Sequence, residues 1–536
     1  IRHPVLKPDR YFLCIQSQIL KCITCLLAYV KTTTRVKKIN GHEYLYEITY
    51  YYDKETRRTR QKSRYLGKNV NGEPVRVREK AKSPEKVYSY GEFIPYIHAV
   101  KSLHIQEILG AHLTDHEVRL FLTLLFAGIH HPKALNSPAS WYDGTVLPRV
   151  FSGLKITSQN ISRLLKKLGE GSIHLSICRS LSLIPESGYM RISMVDIPMF
   201  QETSWHHGVS HHGIEPVALF YDNIENIPVG YLSSAQYLVT SDLVKAINAG
   251  LNLFSGKKGI IISGKGFSST MNLYGAIFSE TPVIFPLDPD HNLIKNEIRK
   301  HRADLMHPRN LKIFRGETLF VIPVNIALET ANFKGYIIYS PRKEEEIRER
   351  FGQDIELILE NLNGRPMYKW VNPAEAMADI AGTYEPFLQW KVQNNRILVD
   401  VKRKTLGRYL KNCGISVIIT GDPECEWDTC LEWLEERAET ERFLATYIRN
   451  FQVFPLSVDS DTMRNGAFLV AFMAHVVNRW VLEQYAKSGL LSIYTAEKIH
   501  LELMKIRLVG LGNDKVLLTG LLPRQKEILD TLKWSA

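Results

Sequence analysis

Cysteine is scarce in this chain. The seven residues (Cys14, Cys22, Cys25, Cys178, Cys413, Cys425 and Cys430) form an odd, scattered set in 536 positions. That excludes a disulfide framework and points to a reducing compartment. Long hydrophobic runs are also missing: no stretch of about 18 uncharged apolar residues occurs, so a membrane-spanning helix is not expected. There is no internal repeat and no low-complexity tract, which excludes collagen-like and disordered classes. Residues 1–27 lack an initiator Met, a clean apolar stretch and a small-residue cleavage site. They make a poor signal peptide. Cys22 and Cys25 form a CxxC with no second pair at useful spacing, so a zinc site is not expected there.

What remains is the composition of a folded protein, 45% hydrophobic and 23% charged. At roughly 100 to 200 residues per domain, two to four domains are expected. The net charge of +12 favours polyanionic partners. Its distribution is uneven: residues 31–90 hold sixteen Lys or Arg against seven Asp or Glu. In this region (28–90), Tyr44 to Tyr52 reads as a strand, DKETRRTRQK as a charged turn, and KSRYLGK as the returning strand. Arg57, Arg58, Arg60, Lys62 and Arg64 are then candidate contacts for nucleic acid; the competing reading of such a charge run is a solvated face.

Residues 91–185 carry helical periodicity, with Ser158 as an N-cap and Gly169 as a stop. From about 186 to 288, short apolar strands alternate with helices (RISMVDIPMF, VALFYDNIENIPVGYL, SDLVKAINAGLNLF, GIIIS, SSTMNLYGAIF), which suggests a mixed sheet covered on both faces. Residues 289–425 are rich in β-like runs around one charged helix and read as an inserted domain. Helical periodicity returns over 426–536.

Several clusters invite chemical readings. GIIISGKG (259–266) nearly matches a phosphate-binding loop, but its β-branched run lies inside the motif and Gly266 replaces the metal-binding hydroxyl, so nucleotide binding is not expected. His206, His207, His211 and His212 could offer imidazoles to a transition metal, yet they sit in a Gly-containing polar stretch with few acidic neighbours. Asp196 stands between apolar residues in SMVDIPMF, where a carboxylate costs stability unless it is paired or binds a metal. The competing reading is an edge strand, which Pro198 permits. Arg437 and Glu441 are four apart, so they share a helix face; a surface ion pair is the default reading of such spacing.

Taken together, these segments resemble DDE transposases of bacterial and archaeal insertion sequences, a family with a ribonuclease-H-like α/β core and a β-rich inserted domain. The resemblance runs from about Ala28 to Trp534, and it implies that residues 1–27, which have no counterpart in the family pattern, are a non-native leader. It rests on YYDKETRRTRQKSRYLGKNVNGEP, on a first core strand reaching Asp196, on the NIPVGY hairpin and GIIISGKGFSS, and on the register of Trp427, Arg437, Glu441, Pro455, Leu456 and Gly466. It implies a mixed sheet with helices on both faces, preceded by a basic hairpin and a helical DNA-binding module. It also implies two Mg²⁺ or Mn²⁺ ions held by carboxylates, with Asp196 and Glu441 the first and third acids and Arg437 on a DNA phosphate. Lys265 would be a further DNA contact. The implied partners are double-stranded DNA, both element ends and target, and a second copy of the chain, in a cytoplasmic, nucleoid-associated setting with no membrane. The sequence departs from the family at the second acid, where Gly264 stands. Leu434, Ile448, Pro198 and Gln236 are further departures. The alternative function is a catalytically inactive, sequence-specific DNA-binding relative.

Overall fold

The computed structural model describes residues 32–39, 42–53, 58–70, 72–74, 86–184, 189–198, 214–233, 243–254, 256, 258–264, 281–328, 331–363, 374, 377, 380–394, 396–451, 460–511 and 515–535. The leader, the CxxC, the histidine group, the SSTMNLYGAIF segment, Arg57, Gln236, Lys265, Pro455 and Leu456 lie outside them. The chain divides into two compact units, Ile1–Leu168 with Asn450–Ala536, and Gly169–Arg449.

The first unit opens with an antiparallel sheet of β1 (Thr32–Ile39), β2 (His42–Asp53), β3 (Arg58–Val70) and β4 (Glu73–Pro74) in that order. The basic run read as a turn is therefore mostly strand. Strand propensity of Arg and Lys is low, but cross-strand aromatic pairs offset it: the Tyr65 ring lies 5.8 Å from Tyr44 and 5.5 Å from Tyr46. After β5 (Lys86–Ser89), the helices of eight residues or more begin with α1 (Ile94–Ser102) and α2 (Asp115–His130). Thr114 and Glu117 form a capping box at the start of α2. Next, α3 (Ser158–Gly169) buries Ile161, Leu164, Leu165 and Leu168 on one face. Its cap is Thr157, one residue before the expected Ser158: the Thr157 hydroxyl accepts from the Asn160 N–H at 3.2 Å. The expected stop at Gly169 is where the helix ends.

In the second unit, α4 (Ile173–Ser182) precedes β6 (Tyr189–Pro198), β7 (Ile214–Asp222), β8 (Pro228–Ser233), α5 (Leu243–Leu253), β9 (Lys258–Ile262) and β10 (Val283–Leu287). Then follow β11 (Leu311–Phe314), β12 (Glu317–Leu328), β13 (Ala331–Tyr339), α6 (Pro341–Leu362), β14 (Leu388–Gln393), β15 (Arg396–Val401), α7 (Arg403–Lys411), β16 (Ile415–Thr420) and α8 (Trp427–Phe451). Among the described residues one mixed sheet of nine strands runs β11-β12-β13-β16-β10-β9-β6-β7-β8. Helices cover both faces. Ile260, Ile262, Ile284 and Ile418 pack with Trp427, Leu431, Trp433 and Leu434 of α8, while a Cβ on Gly259 would meet Leu251 of α5.

The 289–425 segment, read as an inserted domain, is divided by the structure. Its strands β11, β12, β13 and β16 hydrogen-bond into the main sheet. Among the described residues, the stretch between β13 and β16 has its own core, where α6, β14 and β15 enclose Phe351, Ile355, Leu362, Leu388 and Ile397. Period-two patterning identifies a strand but carries no information about which sheet receives it.

The chain returns to the first unit with α9 (Asp461–Lys487), α10 (Ala496–Met504), β17 (Arg507–Gly510), β18 (Val516–Leu518) and α11 (Pro523–Leu532). Around the middle of α9, Gly466 to Val477 is buried without interruption, and the helix packs on α1 and α2. Among the described residues no helix is long and apolar enough to cross a membrane.

Candidate active site

The chain path through the sheet singles out one place for a site. From β6 it runs outward through antiparallel β7 and β8, then returns to lay parallel β9 and β10 on the other side of β6. Strand order therefore reverses between β6 and β9, and a crevice forms at the carboxyl ends of parallel strands where such a reversal occurs. Among the described residues, the end of β6 pairs with β7 as far as Pro198 but with β9 only as far as Ser193. Asp196 lies in this overhang, exposed between buried Val195 and Ile197. β6 is internal in the sheet, while among the described residues its last residues extend past its pairing with β9.

Helix α8 brings the other groups to this rim. Its apolar face is set on the sheet by the packing described above, and a polar contact fixes its axial position. Arg191 of β6 pairs with Glu436 at 2.8 Å, and the Asn226 side chain bonds to both, at 2.5 Å and 3.3 Å. The Arg191 guanidinium lies over the rings of Tyr221 and Trp433 at 5.0 Å and 5.5 Å. One turn further on, Thr440 meets the Tyr221 hydroxyl at 3.1 Å.

Arg437 and Glu441 then project at the end of β6. The Arg437 Nη1 donates to the Met194 carbonyl at 3.1 Å and to Glu441 Oε2 at 2.6 Å. The same Glu441 oxygen accepts from the backbone N–H of Asp196 at 3.3 Å. The helix-surface pair expected from spacing alone is thus tied to the sheet, and Arg437 is largely buried. The Asp196 carboxyl is held above its ordinary range, first by desolvation and then by the negative charge of Glu441, with Arg437 opposing. Gly264, two residues beyond β9, faces this group too: a Cβ there would lie 3.5 Å from the Arg437 guanidinium.

The structure therefore brings together Asp196, Gly264, Arg437 and Glu441 from three distant segments. Among the described residues no group of three or more His, Cys, Asp and Glu is placed to hold a metal ion. Mg²⁺ is commonly held by one or two carboxylates with water and substrate phosphate completing the shell, and Asp196 and Glu441 are the two acids brought to this rim. Of the other positions named from the sequence, Ile448 is buried, where a Lys ammonium would be costly, and Leu434 packs into the α8 core. The residues that sequence reasoning passed over are Arg191, Asn226, Thr440 and Glu436. Arg191 carried the same signal as Asp196, a charge in an apolar strand.

Of the proposed DNA contacts, Arg60, Lys62 and Arg64 alternate along β3, share one sheet face and are exposed. Glu47 approaches Arg64 at 4.0 Å. Arg58 begins β3, and Arg57 and Lys265 lie outside the described residues.

No protein-family model matches the chain. No curated protein matches it either. Among solved structures it is similar to a piggyBac transposase synaptic complex with hairpin DNA, at 8% identity over 73% of this chain and 76% of that one, with a TM-score of 0.22.

Proposed function

We propose that this chain is a transposase-like protein that binds the terminal inverted repeats of an insertion sequence and acts on DNA strands at the crevice between β6 and β9. The observation that carries the reading is the meeting of Asp196 and Glu441, 245 residues apart, at the point where strand order reverses. The antiparallel run β6–β8 followed by parallel β9 and β10 supports a ribonuclease-H-like core.

In this reading Asp196 and Glu441 hold Mg²⁺ or Mn²⁺. When bound, such ions neutralise charge on a phosphodiester and activate the attacking water or 3′-hydroxyl. Arg437 fixes the Glu441 carboxylate and adds a positive charge beside the phosphate path. The exposed cations of β3 contact duplex backbone, and two copies of the chain bring two element ends together. The absent second acid favours a second reading, a sequence-specific DNA-binding relative that does not cut, because Arg437 rather than a carboxylate faces Gly264.

The deciding experiment is divalent-metal-dependent nicking of DNA that carries the element's own ends, by the chain as written and by Gly264→Asp. Cleavage by both establishes the enzyme. Cleavage by the variant alone establishes the binding relative with a repairable site, and silence from both removes the enzyme reading. Binding should also weaken steeply with salt, because several phosphate contacts release several counterions; a nearly flat dependence would remove the DNA reading.

A further inference from the structure

We propose that Cys425 and Cys430 form a redox modification site, in which hydrogen peroxide closes an intramolecular disulfide across the start of α8. Cys425 lies in the turn after β16, Cys430 in the first turn of α8, and their sulfurs are 3.3 Å apart. A disulfide bond is about 2.05 Å long, so closure needs a shift of little more than about 1 Å. The segment between them, Glu426 to Thr429, belongs to the turn and the helix start, so no distant element has to move.

The two thiols differ in a way that assigns their roles. Cys430 donates its S–H to Cys425, which lowers the Cys425 thiol from its ordinary value; burial, Asp422 and Asp428 oppose this, and the Lys334 ammonium acts with the hydrogen bond. That hydrogen bond and burial push the Cys430 thiol far up. The start of a helix also favours an anion. Cys425 is 7% exposed and Cys430 has no exposure, so a small hydroperoxide is the class of oxidant that fits, rather than a bulky disulfide. The Cys425 thiolate attacks one peroxide oxygen; the O–O bond breaks, leaving a sulfenic acid and hydroxide. The Cys430 sulfur then attacks the sulfenic sulfur, gives up its proton, and the S–O bond breaks. Two thiols and one hydrogen peroxide become one disulfide and two waters.

The test treats the folded full-length chain with hydrogen peroxide, quenches it, denatures it and alkylates the remaining thiols. Cys413, Cys425 and Cys430 fall in one tryptic peptide, residues 412–437. The expected result is a fall from three alkylated cysteines to one, with the peptide two hydrogens lighter and its halves staying linked after cleavage following Glu426. With Cys430→Ser, Cys425 should stop at the sulfenic acid and be trapped by dimedone, whereas Cys413→Ser should leave closure unchanged. Circular dichroism establishes that each variant is folded. Three alkylated cysteines after peroxide in the folded wild-type chain, or a bridge to Cys413, overturns the proposal.

Discussion

Arg191 and Glu436 form an ion pair at 2.8 Å, and each stands five residues ahead of a rim carboxylate, Asp196 in β6 and Glu441 in α8. The pair is nearly dry, with side chains 5% and 13% exposed. Removing one partner leaves the other charge buried without its counter-ion, a change that typically costs about 3–5 kcal/mol and is softened here by Asn226. Arg191→Ala and Glu436→Ala should therefore each shift the urea unfolding midpoint of the second unit strongly downward. The double change Arg191→Met with Glu436→Leu should regain most of the loss, because apolar packing of similar volume replaces both charges. Equal damage from the double variant would mean that the ring and Asn226 contacts, rather than the pair, hold α8.

The same helix illustrates what the sequence could and could not disclose. The four-residue spacing of Arg437 and Glu441 predicts a shared helix face, and the strand reading is matched by β6 as far as Pro198, with Met199 and Phe200 outside the described residues. Neither pattern contains the distance between these segments. That distance depends on which strand lies beside β6 and on where β9 stops, and both are set by long-range pairing. For the same reason the sequence could not assign β11–β13 and β16 to the main sheet. Local patterns did define the insertion's α6, where the PRKEEEIRERFG helix continues to Leu362 behind the Ser340 cap.

Gly264 is a glycine without a steric reason to be one. Among the described residues the nearest atoms to a Cβ there are those of the Arg437 guanidinium, at ordinary contact distance, and the Gly264 backbone is not in the left-handed region. Gly264→Ala should be neutral or stabilising by about 0.4–1 kcal/mol, through a less flexible unfolded chain. Gly264→Asp should fold as well, with its carboxylate hydrogen-bonded to Arg437 and titrating below the usual aspartate range. Thermal unfolding of both variants at neutral pH checks this, and a large loss for Gly264→Ala would contradict the geometry.

Gly466 is the opposite case. A Cβ on this α9 residue would lie 2.0 Å from the Leu165 carbonyl oxygen of α3, so backbone would have to move. Overpacking in a tight core typically costs about 1–3 kcal/mol, and a backbone neighbour leaves little room to relax. Gly466→Ala should lower the thermal midpoint of the first unit clearly, while Gly489→Ala at the end of α9, strained in φ but open in space, should cost less.

The titration of Asp196 tests the rim directly. Its carboxyl is raised by desolvation and by Glu441, and lowered by Arg437. In the folded chain it therefore keeps its proton to a higher pH than in the unfolded one. Between the unfolded value and the raised folded value, the folded state holds the extra proton, so this group's contribution to stability falls as pH rises and stays lower above that window. Asp196→Asn should accordingly stabilise the metal-free protein at neutral pH and have no such effect in acid, below both values. Carbon NMR of the Asp196 carboxyl should show a lower titration midpoint in Glu441→Gln, which removes the repelling charge, and a higher one in Arg437→Gln, which removes the attracting one. Millimolar Mg²⁺ should shift the wild-type midpoint downward, because a bound cation favours the carboxylate. A midpoint indifferent to Glu441→Gln would show that the two carboxylates do not share a site.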